Sequence, residues 1–252
     1  MLTVIFRSMV VTSLRDRITL FYSLAFPIAL MIGLGLYFDE GDMPVRVISG
    51  VTAISTIFWG MQGIAFQVHL QRNKGVYKLL KLTPLPIFSF VMIMTLARTV
   101  IGVILNLIVW LIGVLFLQID FNMLTVLTTF FLLVVGTVCF TSLGFLIANF
   151  ANNEGQINMF SNFLQIPMIF MSETFYSLNR APDWVSTVGR ILPFEYYVKG
   201  LRGMINGNEE TLLLGALIPL IYLVVALILS VATFKWEGSQ PTVVQKGKKA
   251  VS

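Results

Sequence analysis

The sequence predicts an all-α integral membrane protein of six transmembrane helices, with an amphipathic helix ahead of them and short interfacial helices before the last. Three observations carry that prediction. Of the 252 residues, 57% are hydrophobic and 12% charged, against about 25% charged in soluble domains. The apolar residues fall in long charge-free runs, and about 20 such residues cross about 30 Å of hydrocarbon. The basic residues cluster beside those runs, as on the cytoplasmic face of a membrane protein. A single domain is expected, divided into an interfacial helix at 1–17, a bundle at 18–234 and a basic cytoplasmic tail at 235–252.

At the start, Leu2, Ile5, Phe6, Met9, Val10 and Leu14 recur at helical spacing, with Arg7, Arg15 and Arg17 supplying a basic face. That pattern predicts a helix lying in the interface. The 21 uncharged residues of 18–38 exceed a signal-peptide core and make a retained first span. After Asp39, Glu40 and Asp42, the second uncharged run reaches from 47 to the lone histidine, His69. Arg72, Lys74, Lys78 and Lys81 then form a basic loop that ends at Thr83-Pro84-Leu85-Pro86, where two prolines forbid a continuous helix.

Residues 87–119 are uncharged except for Arg98. As one helix they would run about 50 Å, so the third span is placed at 99–117, with 87–97 at the interface and Arg98 snorkelling there. The fourth span, 123–149, ends at the polar break Asn152-Asn153-Glu154-Gly155-Gln156, and the fifth, 157–172, is short and carries Pro167. Residues 173–210 mix aromatic side chains with charges, a composition of the membrane–water interface that predicts short helices dipping into the outer leaflet. The last span, 212–234, precedes a tail with Lys235, Lys246, Lys248 and Lys249. With both termini cytoplasmic, the inner segments hold twelve basic residues against three acids, and the outer ones five against nine. This is the positive-inside bias of a plasma (inner) membrane protein.

Several function classes drop out. No G-x-x-x-x-G-K-[ST] string occurs; Gly247-Lys248-Lys249 lacks the phosphate-cradling loop and the hydroxyl. No nucleotide, metal or other cofactor is therefore expected on this chain. One histidine and one cysteine leave no catalytic triad, Cys-His pair or zinc spacing, so no enzyme is expected. Cys139 reads as a small core residue. The net charge of +5 sits beside apolar runs, which favours membrane lipids over nucleic acid as the partner. No acid lies well inside a span and no internal repeat is visible, which disfavours an ion-coupled secondary transporter.

Residues 71–86 read as a short amphipathic helix opened at Gly75 and stopped by Pro84. Val76, Leu79, Leu80 and Thr83 lie on one side, Lys74, Lys78 and Lys81 on the other. Attraction to anionic lipid would by itself explain such a helix. Its wording, Arg72 followed by Lys74-Gly75-Val76-Tyr77-Lys78-Leu79-Leu80 and Thr83-Pro84, resembles the loop of the ABC type-2 exporter permeases. That resemblance implies a cytoplasmic coupling helix, in which Arg72, Lys74, Gly75, Val76, Tyr77, Lys78, Leu80, Thr83 and Pro84 engage a groove of a separate ATPase. Lys78 stands where the family often has Glu, which implies a more acidic groove.

A second stretch is similar to the family's paired re-entrant helices. It comprises Ser172-Glu173-Thr174-Phe175-Tyr176-Ser177-Leu178, then Ala181-Pro182-Asp183-Trp184, then Leu192-Pro193-Phe194-Glu195-Tyr196-Tyr197 through Leu201-Arg202. Glu173 departs from the family's usual Gly, and Ser177 from Pro. The candidate outer-mouth residues are Glu173, Phe175, Tyr176, Trp184, Pro193, Glu195, Tyr196 and Arg202. Glu173, Glu195 and Arg202 either pair with one another or meet a polar headgroup of the cargo.

The resemblance implies the permease subunit of an ATP-driven exporter, with ATP and Mg²⁺ held by the partner ATPase and a second permease copy, identical or related, completing the path. Sparse charge in the spans implies an amphipathic cargo such as an antibiotic, drug or antimicrobial peptide. A lipid or lipid-linked glycan is the alternative, with Phe130, Phe131, Phe140 and Phe145 either lining the path or facing lipid. Gly144 and Ala148 form a small-xxx-small pair suited to helix packing.

Overall fold

The computed structural model describes residues 2–15, 17–38, 41–77, 86–178 and 181–234, and its regular structure is entirely helical. In chain order the helices are α1 (Leu2–Arg15), α2 (Arg17–Tyr37), α3 (Met43–Ile57), a π turn (Phe58–Gln62), α4 (Gly63–Asn73) and α5 (Ile87–Phe116). There follow α6 (Met123–Phe150), α7 (Glu154–Phe170), α8 (Asp183–Ile191), α9 (Pro193–Asn206) and α10 (Glu209–Ala232).

Boundaries fall where the sequence supplies end chemistry. Asn122, Asn153 and Asn208 cap α6, α7 and α10, accepting from the backbone N–H of Thr125, Gln156 and Thr211. Each satisfies one of the donors that a helix start leaves unpaired. Pro193 opens α9 at a position where its missing N–H costs nothing.

Among the described residues, four helices are long and apolar enough to cross a membrane: Met43–Asn73 (α3, the π turn and α4 as one unit), α5, α6 and α10. α2 adds a shorter apolar stretch, Ser23–Tyr37, and α7 has 17 residues with Pro167 inside it. The third hydrophobic run differs from its expected form. It is one unbroken 30-residue helix, and Arg98 in its middle is only 5% exposed. Instead of snorkelling, the guanidinium lies 3.6 Å from the centre of the Trp59 ring, while the Trp59 indole N–H donates to the Arg98 carbonyl (3.2 Å). A cation over an aromatic face is stabilised without reaching water, which removes the reason for a helix break.

α6 is the hub, packing against α4, α5, α10 and the π turn. A Cβ on Gly144 would lie 2.2 Å from the Met61 carbonyl oxygen and 2.6 Å from its Cα. The backbones of α6 and the π turn therefore touch, and the small residue is what admits the contact. Phe140, fully buried, packs against Phe194 (ring centres 5.9 Å apart) and Tyr197 (5.5 Å), and Phe145 stacks on Phe234 (6.1 Å). These two phenylalanines belong to the core, so they neither line a path through this chain nor face lipid, whereas Phe130 and Phe131 are exposed. Cys139 is buried as a small core residue. α1 lies along α5 with Met9 turned inward, its sulfur accepting from the Gln71 amide (3.1 Å).

Candidate coupling and outer-mouth sites

The candidate coupling segment begins where α4 ends. Lys74 and Gly75 form a turn held by Lys74 N–H to Leu70 carbonyl (3.0 Å) and Gly75 N–H to Arg72 carbonyl (3.1 Å). Gly75 has φ +73°, a left-handed conformation that glycine adopts without steric cost. Asn73 and Lys74 face outward and Val76 is half-buried. Lys78, Leu80, Thr83 and Pro84 lie outside the described residues.

Two members of the segment point inward. Arg72 is 6% exposed and Tyr77 fully buried. The Arg72 Nη1 donates to the Ala148 carbonyl (2.9 Å) and Nη2 to the Asn149 Oδ1 (3.3 Å). The Asn149 Nδ2 in turn donates to the Ser230 carbonyl (2.9 Å) and to the Thr233 Oγ1 (3.2 Å). Ala148 and Ser230 stand in the final turns of α6 and α10, where carbonyls lose their intrahelical partners. One guanidinium and one amide thus cap two helices and tie them to the end of α4; a cation is also the favoured charge at a helix C-terminus.

The Tyr77 ring meets Phe90 edge-on (5.0 Å) and lies 6.0 Å from Phe234, which itself contacts Phe90 and Phe145. Burial pushes the Tyr77 phenol well above the ordinary tyrosine range, so it stays neutral as a core residue at physiological pH. This aromatic knot anchors the start of α5, the end of α10 and the coupling segment together.

At the other end of the bundle, the Glu195 Oε2 accepts from the backbone N–H of Glu173 (2.7 Å). Lys199 pairs with Glu195 (2.8 Å) and with Glu173 (3.5 Å). Arg202 Nη1 reaches the Glu173 Oε2 (3.3 Å), and its Nη2 donates to the Glu173 carbonyl. Burial would depress the Lys199 ammonium, but its hydrogen bond to Glu195 and the negative charges of Glu195 and Glu173 hold its pKa above the usual lysine value. Glu173, Glu195 and Arg202 are brought together, and Lys199 joins them. Its i,i+4 spacing from Glu195 was the available signal.

The remaining outer-mouth candidates make other contacts. The Tyr176 hydroxyl donates to the Phe170 carbonyl and the Tyr196 hydroxyl to the Arg190 carbonyl (2.9 Å). Phe175 is half-buried, Trp184 projects outward at 63% exposure, and Pro193 is buried at the start of α9. Glu195→Gln keeps the shape but loses the charge on both contacts. A loss of about 1–3 kcal/mol in stability is expected, toward the lower figure because Lys199 is a third exposed. Thermal unfolding in detergent measures it.

The family model for the ABC-2 type transporter matches residues 2–206, from α1 through α9. The chain belongs to the ABC-2 type transporter family. Comparison with curated proteins finds no match. As an ABC-2 member the chain is a multi-pass membrane protein and a permease subunit of an ABC transporter. Subunits of this family are membrane transport domains that generally work with a partner ATPase and carry no ATPase site of their own.

Proposed function

We propose that the chain is the permease of an ATP-driven exporter that moves an amphipathic cargo, such as an antibiotic, drug or antimicrobial peptide, outward while a separate ATPase hydrolyses ATP. Beyond the family, the observation that carries this reading is the Arg72–Asn149 clamp. It locks the root of an exposed basic turn to the ends of α6 and α10. A rigid displacement of that turn is therefore passed into the bundle rather than absorbed locally.

In this reading Lys74, Val76, Lys78 and Leu80 meet the ATPase, and Arg72 and Tyr77 transmit the movement. Gly75 sets the turn, and Thr83 and Pro84 end the coupling helix. Six spans are made by α2, the α3–α4 unit, α5, α6, α7 and α10, with α1 in the cytoplasmic interface. α8 and α9 form a re-entrant pair whose Glu173–Glu195–Lys199–Arg202 network closes the outer mouth. Both termini face the cytoplasm of a plasma-membrane protein, and a second permease copy completes the path. ATP and Mg²⁺ stay on the partner; nucleotide binding biases a two-state movement of the coupling helices.

Two experiments test this reading. Co-purification with the ATPase should weaken when Lys74 and Leu80 are both changed to alanine; undiminished association would refute the docking role. A cysteine at Ser177 should react with an impermeant maleimide added outside intact cells, and one at Asn152 only after permeabilisation. The reverse pattern would overturn the topology.

A further inference from the structure

At the end of the bundle opposite the Arg72 clamp, one cation stands outside the pairing of its neighbours. Arg46 lies in the first turn of α3, and this end of α3 packs on the elements that carry the Glu173–Arg202 network. A Cβ on Gly50, one turn further along the same helix face, would lie 2.7 Å from the Thr174 Cγ2 and 3.0 Å from the Thr174 carbonyl oxygen. Phe175 and Ile205, near neighbours in sequence of Glu173 and Arg202, pack against the apolar cluster that includes Val47, Ile48 and Val51.

Three cations therefore share this corner with two carboxylates. Glu173 is taken by Arg202 and Lys199, and Glu195 by Lys199 and the backbone N–H of Glu173. Among the described residues Arg46 makes no ion pair; Asp42, one turn before it, is exposed. Burial, and after it the charge of Arg46, hold the Arg202 guanidinium below its ordinary pKa, against the opposing pull of Glu173 and Glu195. The two arginines thus repel each other across the corner. A cation in the first turn of a helix is also disfavoured by the helix dipole. Within the chain, nothing offsets the charge of Arg46.

Its guanidinium is presented edge-on. The Nη1 is buried without a hydrogen-bond partner, whereas Nε and Nη2, which have none either, are not sealed from solvent. Nε and Nη2 form the edge of the fork that takes two oxygens of an anion in parallel bonds. Arg202 has both Nη groups on Glu173, so it contributes charge rather than contacts.

We infer that Arg46 is an anion-binding site whose Nε–Nη2 edge takes the oxygens of a phosphate group, with Arg202 and the start of α3 adding positive potential behind it. The phosphate is carried by the headgroup of an acidic phospholipid or arrives as the free ion. The site needs only this chain and does not depend on which cargo is exported.

The test follows the thermal unfolding midpoint of the full chain in neutral detergent at low salt, because a ligand of the native state raises that midpoint. Phosphatidylglycerol added to the micelles should raise it saturably, with an apparent affinity about tenfold tighter than phosphatidylcholine, the scale of one charge-assisted contact. Arg46→Gln should bring the two lipids within about twofold of each other, and Arg46→Lys, which keeps the charge but not the two-pronged edge, should fall between. Inorganic phosphate distinguishes the sources. An Arg46-dependent rise with the ion alone supports a site for free phosphate, and a rise with the lipid only supports a site for the headgroup. With no anion added, Arg46→Gln should unfold at the same temperature as the unsubstituted chain or higher, since it removes the repulsion with Arg202. A midpoint several degrees lower for that variant would overturn the inference by showing that the chain itself partners Arg46. So would an anion response that survives Arg46→Gln, or no response to either anion in the unsubstituted chain.

Discussion

Replacing Arg72 by alanine is expected to uncouple ATP hydrolysis from transport while also lowering the stability of the chain by about 3 kcal/mol. The stability loss follows from what the guanidinium holds: the Ala148 carbonyl and the Asn149 side chain, both buried, the latter holding the end of α10. Removing the donor leaves those groups unsatisfied, and hydrogen bonds to a charged partner are worth about 1.5–3 kcal/mol each. Arg72→Lys keeps the charge but not the fork, so one of the two contacts should survive and with it part of the stability. Parallel measurements of unfolding midpoint, ATPase rate of the assembled complex and ATP-dependent export distinguish the two effects. If Arg72→Ala is destabilised yet exports normally, the clamp is structural only.

Gly144→Val should abolish accumulation of folded protein, because the added carbons meet backbone. The Met61 oxygen and Cα would lie 2.2 and 2.6 Å from the new Cβ, and neither can rotate away as a side chain would. Overpacking commonly costs about 1–3 kcal/mol and more where backbone has to shift. Separating α6 from the π turn would also disturb the packing of Ile64 beneath it. Gly33→Val is the matched control: nothing lies within 4 Å of its Cβ position, so a near-normal unfolding midpoint is expected. Equal behaviour of the two variants would show that the α6–π turn seam is looser than described.

Much of this was legible before any coordinates. Charge-free runs placed all but one of the long helices within a few residues, because lipid leaves the backbone little alternative to a helix; the exception is α5, which starts twelve residues ahead of the span expected at 99–117. Arg98 was misplaced because a basic residue in an apolar run reads as an edge marker. The aromatic partner that lets it stay inside, Trp59, lies on a different helix, 39 positions away. The same long-range logic hid the inward turn of Arg72 and Tyr77. Their segment is amphipathic and basic, and its wording pointed to a partner surface, but the two oxygens that capture Arg72 come from the end of α6, 76 and 77 positions along the chain. Nothing in local periodicity announces the π turn, since its sequence, Phe58-Trp59-Gly60-Met61-Gln62, is equally compatible with an ordinary helix. It coincides with tertiary contacts instead: the close seam of Met61 with Gly144 and the cation seated on Trp59.

The central claim, that the exposed turn after α4 is the point at which a partner ATPase drives this permease, is tested most directly by a photo-crosslinking residue at Lys74. In membranes containing the chain and its ATPase, ultraviolet light should join position 74 to the ATPase, with a yield that changes when a non-hydrolysable ATP analogue is added. A crosslinker at Ser177 should give no such product. Absence of an ATPase adduct at position 74, in a complex that still hydrolyses ATP and exports, would contradict the account.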